Sequence, residues 1–195
     1  MKPRKPPPHV SLTEVASLHR QASRMKRAAE SSQALELLDE ALESCPAYVP
    51  ALLLAGRRLQ TSTSEGPAEK RAGLRKARRY LQQAVLASDR SAASLVELGY
   101  FLHVAEGASD AAERYLLAGV EKALTVLEDG WSGLIDVLYA QGRLEEAAAL
   151  GQRAQQLFPD SVRIATSLTP VMAALPAPKP KRAAASGRRR GPTRG

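Results

Sequence analysis

Four apolar anchors, Leu18, Leu52, Leu95 and Trp131, stand 34, 43 and 36 residues apart in this chain of 195 residues. Three of them are followed, 16 residues later, by an alanine: Ala34, Ala111 and Ala147. A self-similar period in this range restricts the fold severely. Each period is one supersecondary unit that cannot bury its own apolar face, so the units must stack. The last unit shows the local logic. Trp131, Leu134 and Leu138 are spaced by three and four, which places them on one face of a helix. Gly142 suits the left-handed conformation that ends such a helix, and Pro159 follows a second helix as a stop. On that second helix Ala147, Gly151 and Ala154 share a face, where small side chains let two backbones approach.

The other units repeat the pattern. Ala34, Leu38 and Ala41 lead to Pro46; Ala77, Leu81 and Ala84 lead to Asp89; Ala111, Tyr115 and Ala118 form the third set. Strand signals are missing, because Val and Ile are sparse and apolar residues recur at three and four rather than in alternation. An all-α fold of four helix pairs is expected, and "SVRIATSLTPVMAAL" reads as a final helix that covers the last apolar face. Pro170 is expected to kink or divide that helix. In the second unit the anchor-to-alanine distance is 25 rather than 16. The excess, "TSTSEGPAEKRAG" over 61–73, is expected to be a polar loop.

Trp131, Leu134, Gly142, Ala147, Ala154 and Pro159, with Leu98, Gly99, Ala111, Tyr115 and Ala118, resemble the tetratricopeptide repeat (TPR) signature. The first two units match less well: Gln21 stands where an apolar residue is usual, and Asp89 replaces the proline. The resemblance covers about residues 15–160. It implies a right-handed superhelix, an α-solenoid of about four TPR-like helix pairs plus a C-terminal capping helix, whose first helices line a concave face.

Charge divides the chain differently. Three basic residues in 1–10 and seven in 176–195 leave 18 basic against 20 acidic residues in the middle, so 11–175 sums to −2 within a total of +8. Both ends are rich in Pro, Lys and Arg and poor in apolar residues, so 1–10 and 176–195 are expected to be disordered tails around a repeat domain over 11–175. Lys179, Lys181, Arg182, Arg188, Arg189, Arg190 and Arg194 form a polyanion-binding candidate, for weak, non-specific nucleic-acid contact. The basic run 70–79 is expected to be the solvated back of a helix, because Ala77, Leu81 and Ala84 must face inward.

By the resemblance, residues one, five and eight after each anchor enter the groove. They are His19, Ser23 and Lys26; Leu53, Arg57 and Gln60; Val96, Tyr100 and His103; Ser132, Asp136 and Tyr139. Of these, Arg57, Tyr100, His103, Asp136 and Tyr139 are the candidates for protein contact. Tyrosine combines apolar area, a polar tip and few rotors. Some relatives grip a C-terminal carboxylate of a chaperone. The matching positions here, His19, Ser23, Leu54, Ala93 and Glu97, carry too little positive charge, and a register one repeat later fares no better.

Catalytic chemistry has no sequence support. His9, His19 and His103 lie far apart, no Cys/His pattern suits zinc, and no Gly-rich phosphate loop occurs, so no enzymatic activity, metal or cofactor is expected. His103 and Glu106 hold at most one edge of a metal site. Cys45 stands alone, which excludes an intrachain disulfide. No apolar run approaches a membrane span and no apolar segment follows the basic N-terminus, so the expected setting is cytoplasmic, or nuclear in a eukaryote. The function read from these features is a scaffold that binds a peptide segment of a protein partner. The alternative is a nucleic-acid- or ribosome-associated protein that binds through its tails.

Overall fold

The computed structural model describes residues 11–27, 30–62 and 66–176. The tail expectations, including Lys179 through Arg194, lie outside the described residues. Eight α-helices and no strand occur among the described residues: α1 Leu12–Arg24, α2 Ser31–Ser44, α3 Val49–Thr61, α4 Pro67–Ala87, α5 Ala92–Glu106, α6 Ser109–Ala140, α7 Leu144–Leu157 and α8 Val162–Ala174. They form two compact units, one ending at Leu127 and the other beginning at Glu128.

In the first unit, helices pair in sequence order. The helix faces read from spacing are the buried ones: Ala34, Leu38 and Ala41 on α2, and Ala77, Leu81 and Ala84 on α4. Gly56 of α3 lets α4 approach, since a Cβ there would stand 2.7 Å from Leu81 Cγ. The first helices of the pairs also touch one another, α1 on α3 and α3 on α5. Entry into α1 is set by a capping box, in which Ser11 N–H donates to Glu14 Oε2 at 2.8 Å and Glu14 N–H donates to Ser11 Oγ at 3.3 Å. Its exit is held by Arg58 of α3, whose guanidinium donates to the carbonyls of Ala22 and Met25. A cation there bonds carbonyls at the helix C-terminus and complements its dipole.

Several expectations are corrected. Residues 67–73 are helical rather than loop: Pro67 opens α4, and Glu69 in the first turn favours the positive end of the dipole. In the third pair the inward face is shifted by one residue. Ala112 and Gly119 are buried, whereas Ala111, Tyr115 and Ala118 are only partly so. A Cβ on Gly99 would meet Leu116 Cγ at 2.8 Å, and one on Gly119 would meet Val96 Cγ2 at 2.7 Å. The turn through Gly107, at φ 65°, delivers α6 in that rotation. The second helix of the third pair and the first helix of the fourth are one element, α6, of 32 residues. Gly130 costs a helix only about 1 kcal/mol and no proline interrupts it. Of the two outcomes expected at Pro170, division is excluded, since α8 runs through it. The carbonyl it leaves unpaired belongs to Thr166, an exposed residue that water can satisfy.

In the second unit, Ile135 and Leu138 of α6 pack with Ala147, Ala148 and Ala154 of α7 and with Ile164, Leu168 and Val171 of α8. Gly151 faces Leu168, so the small-residue face of α7 serves the final helix. The expected inward face of Trp131, Leu134 and Leu138 is rotated. Ser132, Ile135 and Leu138 are buried, Leu134 is exposed, and Trp131 is half-buried at the edge of the core. Ser132 Oγ and Ser167 Oγ satisfy each other at 2.7 Å, which removes the cost of burying two hydroxyls.

Candidate protein-binding surface

Arg57, Tyr100 and His103 belong to the first unit, Asp136 and Tyr139 to the second. All five are exposed. On the first unit, α3 and α5 lie side by side and present Arg57 and Tyr100. Arg57 Nε meets Glu97 Oε2 at 3.0 Å, so Arg57 spans from α3 to α5 and its charge is partly neutralised there. A surface pair of this kind adds about 0–1 kcal/mol of stability, and its main effect is to orient the guanidinium. Tyr100 is 57% exposed. His103 stands in the last turn of α5. Two other expected groove residues, Leu53 and Ser132, are buried. On the second unit, Tyr139 is 40% exposed near the end of α6, and Asp136 lies one turn before it.

His19 stands edge-on to Tyr48, with ring centroids 5.8 Å apart, and its Nε2 is 3.4 Å from Ser23 Oγ. Burial, then the charge of Arg20, lowers its pKa below the ordinary 6.5. Of the pair His103 and Glu106, Glu106 accepts from Arg78 at 3.1 Å. Among the described residues no group of three or more His, Cys, Asp or Glu side chains is placed to hold a metal ion.

One cluster escaped the sequence reading. Asp39 of α2 accepts from Lys76 Nζ at 2.6 Å and from Tyr80 OH at 2.7 Å, both on α4. Gln83 donates to the Pro46 carbonyl at 2.7 Å beside it. These residues line an open groove of about 270 Å³. Burial and the bond to Asp39 push the Tyr80 phenol well above its ordinary value. The partners are 37 and 41 residues apart in sequence, so no local pattern announces them. The run 70–79 is otherwise the solvated face expected of it. Lys70, Arg71, Arg75, Arg78 and Arg79 are exposed, and Ala77 is fully buried.

Comparison with known proteins agrees with this architecture. The sequence matches the Myxococcota tetratricopeptide repeat protein family over residues 7–89. That span holds α1 to α4, the two pairs with the fewest signature residues. An uncharacterised 18.1 kDa protein in the carS 3′ region of Myxococcus xanthus is 36% identical over 139 residues, which are 71% of this chain and 81% of that one. The crystal structure of a thermophilic TPR protein of Thermus thermophilus superposes with a TM-score of 0.50 at 20% identity, covering 84% of each chain. Helix pairs held together by small-residue faces, the same fold in a solved TPR structure and a sequence match to a TPR family lead to one conclusion: the chain belongs to the tetratricopeptide repeat family.

Proposed function

We propose that this protein is a non-enzymatic scaffold that binds an extended or helical peptide segment of a partner. Arg57, Tyr100 and His103 are its contact residues on the first unit, and Asp136 and Tyr139 those on the second. The observation that supports the reading best is Tyr100, an aromatic side chain 57% exposed on a helix whose opposite residues, Leu98 and Leu102, are buried. A tyrosine that adds nothing to the core is suited to an interface, where its ring supplies area and its hydroxyl a directional bond. The Arg57–Glu97 pair beside it offers a fixed donor and acceptor. The preferred ligand on this chemistry is a segment with apolar anchors and a hydroxyl or charged group between them.

The test uses peptides selected from a random display library on the wild-type chain. Their binding is then measured by fluorescence anisotropy against Tyr100→Ala and Tyr139→Ala. Each is expected to weaken binding by about 2 kcal/mol if it is a hot spot, with circular dichroism and melting unchanged. Equal affinity in a folded variant removes that residue from the surface, and loss of folding places the tyrosine in the core instead.

A further inference from the structure

The first helices of the pairs in the first unit, α1, α3 and α5, together carry four arginines, Arg20, Arg24, Arg57 and Arg58, against three carboxylates, Glu14, Glu97 and Glu106. All three carboxylates are engaged: Glu14 in its capping box, Glu97 by Arg57 and Glu106 by Arg78 of α4. Of the four arginines only Arg57 meets a carboxylate among the described residues. Arg58 bonds to neutral carbonyls at the end of α1, so its positive charge stays uncompensated there. Arg20 and Arg24 are exposed, one turn apart, on the side of α1 opposite the buried Val15 and Ala22. Arg24 lies in the last turn, so it stands at the helix end that Arg58 reaches. The partner helix α2 has the reverse sign, with Glu36, Asp39, Glu40 and Glu43 and no cation. Beyond α3 the surface turns apolar. Tyr100 and Val104 of α5 are 57 and 55% exposed and one turn apart.

We infer that this face takes an acidic segment of a protein partner, with carboxylates over Arg20, Arg24 and Arg58 and an apolar side chain on Tyr100 and Val104. The inference rests on the peptide-binding reading and adds the partner's charge and its polarity along the groove. Guanidinium groups match carboxylates in charge and in planar, two-pronged geometry. The contacts of α1 on α3 and of α3 on α5 set the three helices in a row. Two interaxial steps of about 8–10 Å each separate the cationic end from the apolar one, a span that an extended chain covers in about five or six residues. The ligand is therefore bipartite, with an acidic cluster and an apolar residue that far apart. A phosphodiester strand fits this face less well. Glu97 interrupts the cationic path, whereas the N–H groups of a peptide donate to such a carboxylate.

Fluorescence anisotropy on the full chain tests it, with a fluorescein-labelled peptide that carries a run of glutamates and, about six positions on, a pair of leucines. Wild type is expected to bind the peptide saturably, with affinity falling as salt rises. The glutamine analogue of the peptide, and the Arg20→Gln, Arg24→Gln double variant of the protein, are each expected to weaken binding at least about 10-fold. Arg75→Gln with Arg79→Gln, at exposed positions of α4, is expected to leave binding unchanged, which separates a local site from overall charge. Both variants replace exposed side chains, and circular dichroism checks that they fold. No saturable binding to wild type, undiminished affinity of the analogue or of the Arg20, Arg24 variant, or an equal loss in the α4 variant overturns the proposal. A short single-stranded oligonucleotide that loses affinity by the same factor in the Arg20, Arg24 variant also overturns it and assigns the face to nucleic acid. The two readings fail separately. Library-selected peptides that depend on Tyr100 but bind the Arg20, Arg24 variant undiminished overturn the acidic preference and leave the groove reading standing. A glutamate peptide indifferent to Tyr100→Ala overturns the groove reading, and with it the apolar half of this inference.

Discussion

Gly56 of α3 lies against Leu81 of α4 so closely that a Cβ at Gly56 would stand 2.7 Å from both Leu81 Cγ and Cδ2. Leu81 is itself fully buried, so it has no free space to move into. Alanine gains about 1 kcal/mol of helix propensity over glycine, but overpacking a filled core costs about 1–3 kcal/mol. Gly56→Ala is therefore expected to lower the unfolding free energy by about 1–2 kcal/mol in a urea titration. An unchanged or higher midpoint shows that the α3–α4 contact is looser than this geometry.

Gly133 makes the opposite case. It lies within α6, is exposed, and a Cβ there would meet nothing within 4 Å. Gly133→Ala is expected to raise stability by about 0.5–1 kcal/mol, through helix propensity and a less flexible unfolded chain. A lowered melting temperature means that this position is not helical in solution.

Trp131 is half-buried beside the second unit's core, with the Arg153 guanidinium 5.7 Å from its ring centroid. A wholly buried tryptophan costs about 3–5 kcal/mol on truncation. At the edge of the core, Trp131→Ala is expected to cost about 1–3 kcal/mol, including the lost contact with Arg153. Guanidinium titration followed by circular dichroism measures it, and a cost of 4 kcal/mol or more on the order of full burial contradicts the observed register.

The lowered pKa of His19 has a definite sign in a pH series. Protonation is harder in the folded chain than in the unfolded one. The stability this contributes is fully present above about pH 6.5 and is lost as pH falls through the lower, folded value. Urea midpoints are expected to fall between about pH 7 and about pH 5, and His19→Gln is expected to flatten that fall. Because the ring is partly exposed, the effect is modest. Parallel pH profiles for wild type and variant rule out His19 as the source.

The seven basic residues of 176–195 are expected to supply most of any affinity for single-stranded nucleic acid. Compared with a chain ending at Leu175, the full chain is expected to show a log–log salt dependence steeper by up to about 5. Equal binding by the shorter chain shifts attention to the run 70–79, of which Lys76 and Arg78 already pair with Asp39 and Glu106.

The class of fold was legible in the residues alone. Alanines at fixed offsets, as in Ala34 and Ala41, Ala77 and Ala84, or Ala147 and Ala154, mark helix faces that only another helix can cover, and all six are buried. Spacing within one helix is set by its own geometry, so such faces are legible without a partner. Rotation about a helix axis changes by about 100° per residue, and a turn of uncertain length passes that uncertainty to the next helix. Packing between helices therefore sets that Ala112 rather than Ala111 faces α5, and that Ile135 and Ser132 rather than Leu134 turn inward. The continuity of α6 through Gly130, the meeting of Asp39 with Lys76 and Tyr80, and the reach of Arg57 to Glu97 were decided there as well. In each case residues distant in sequence, or a balance of about 1 kcal/mol at a glycine, settle the outcome, and neither leaves a local signature.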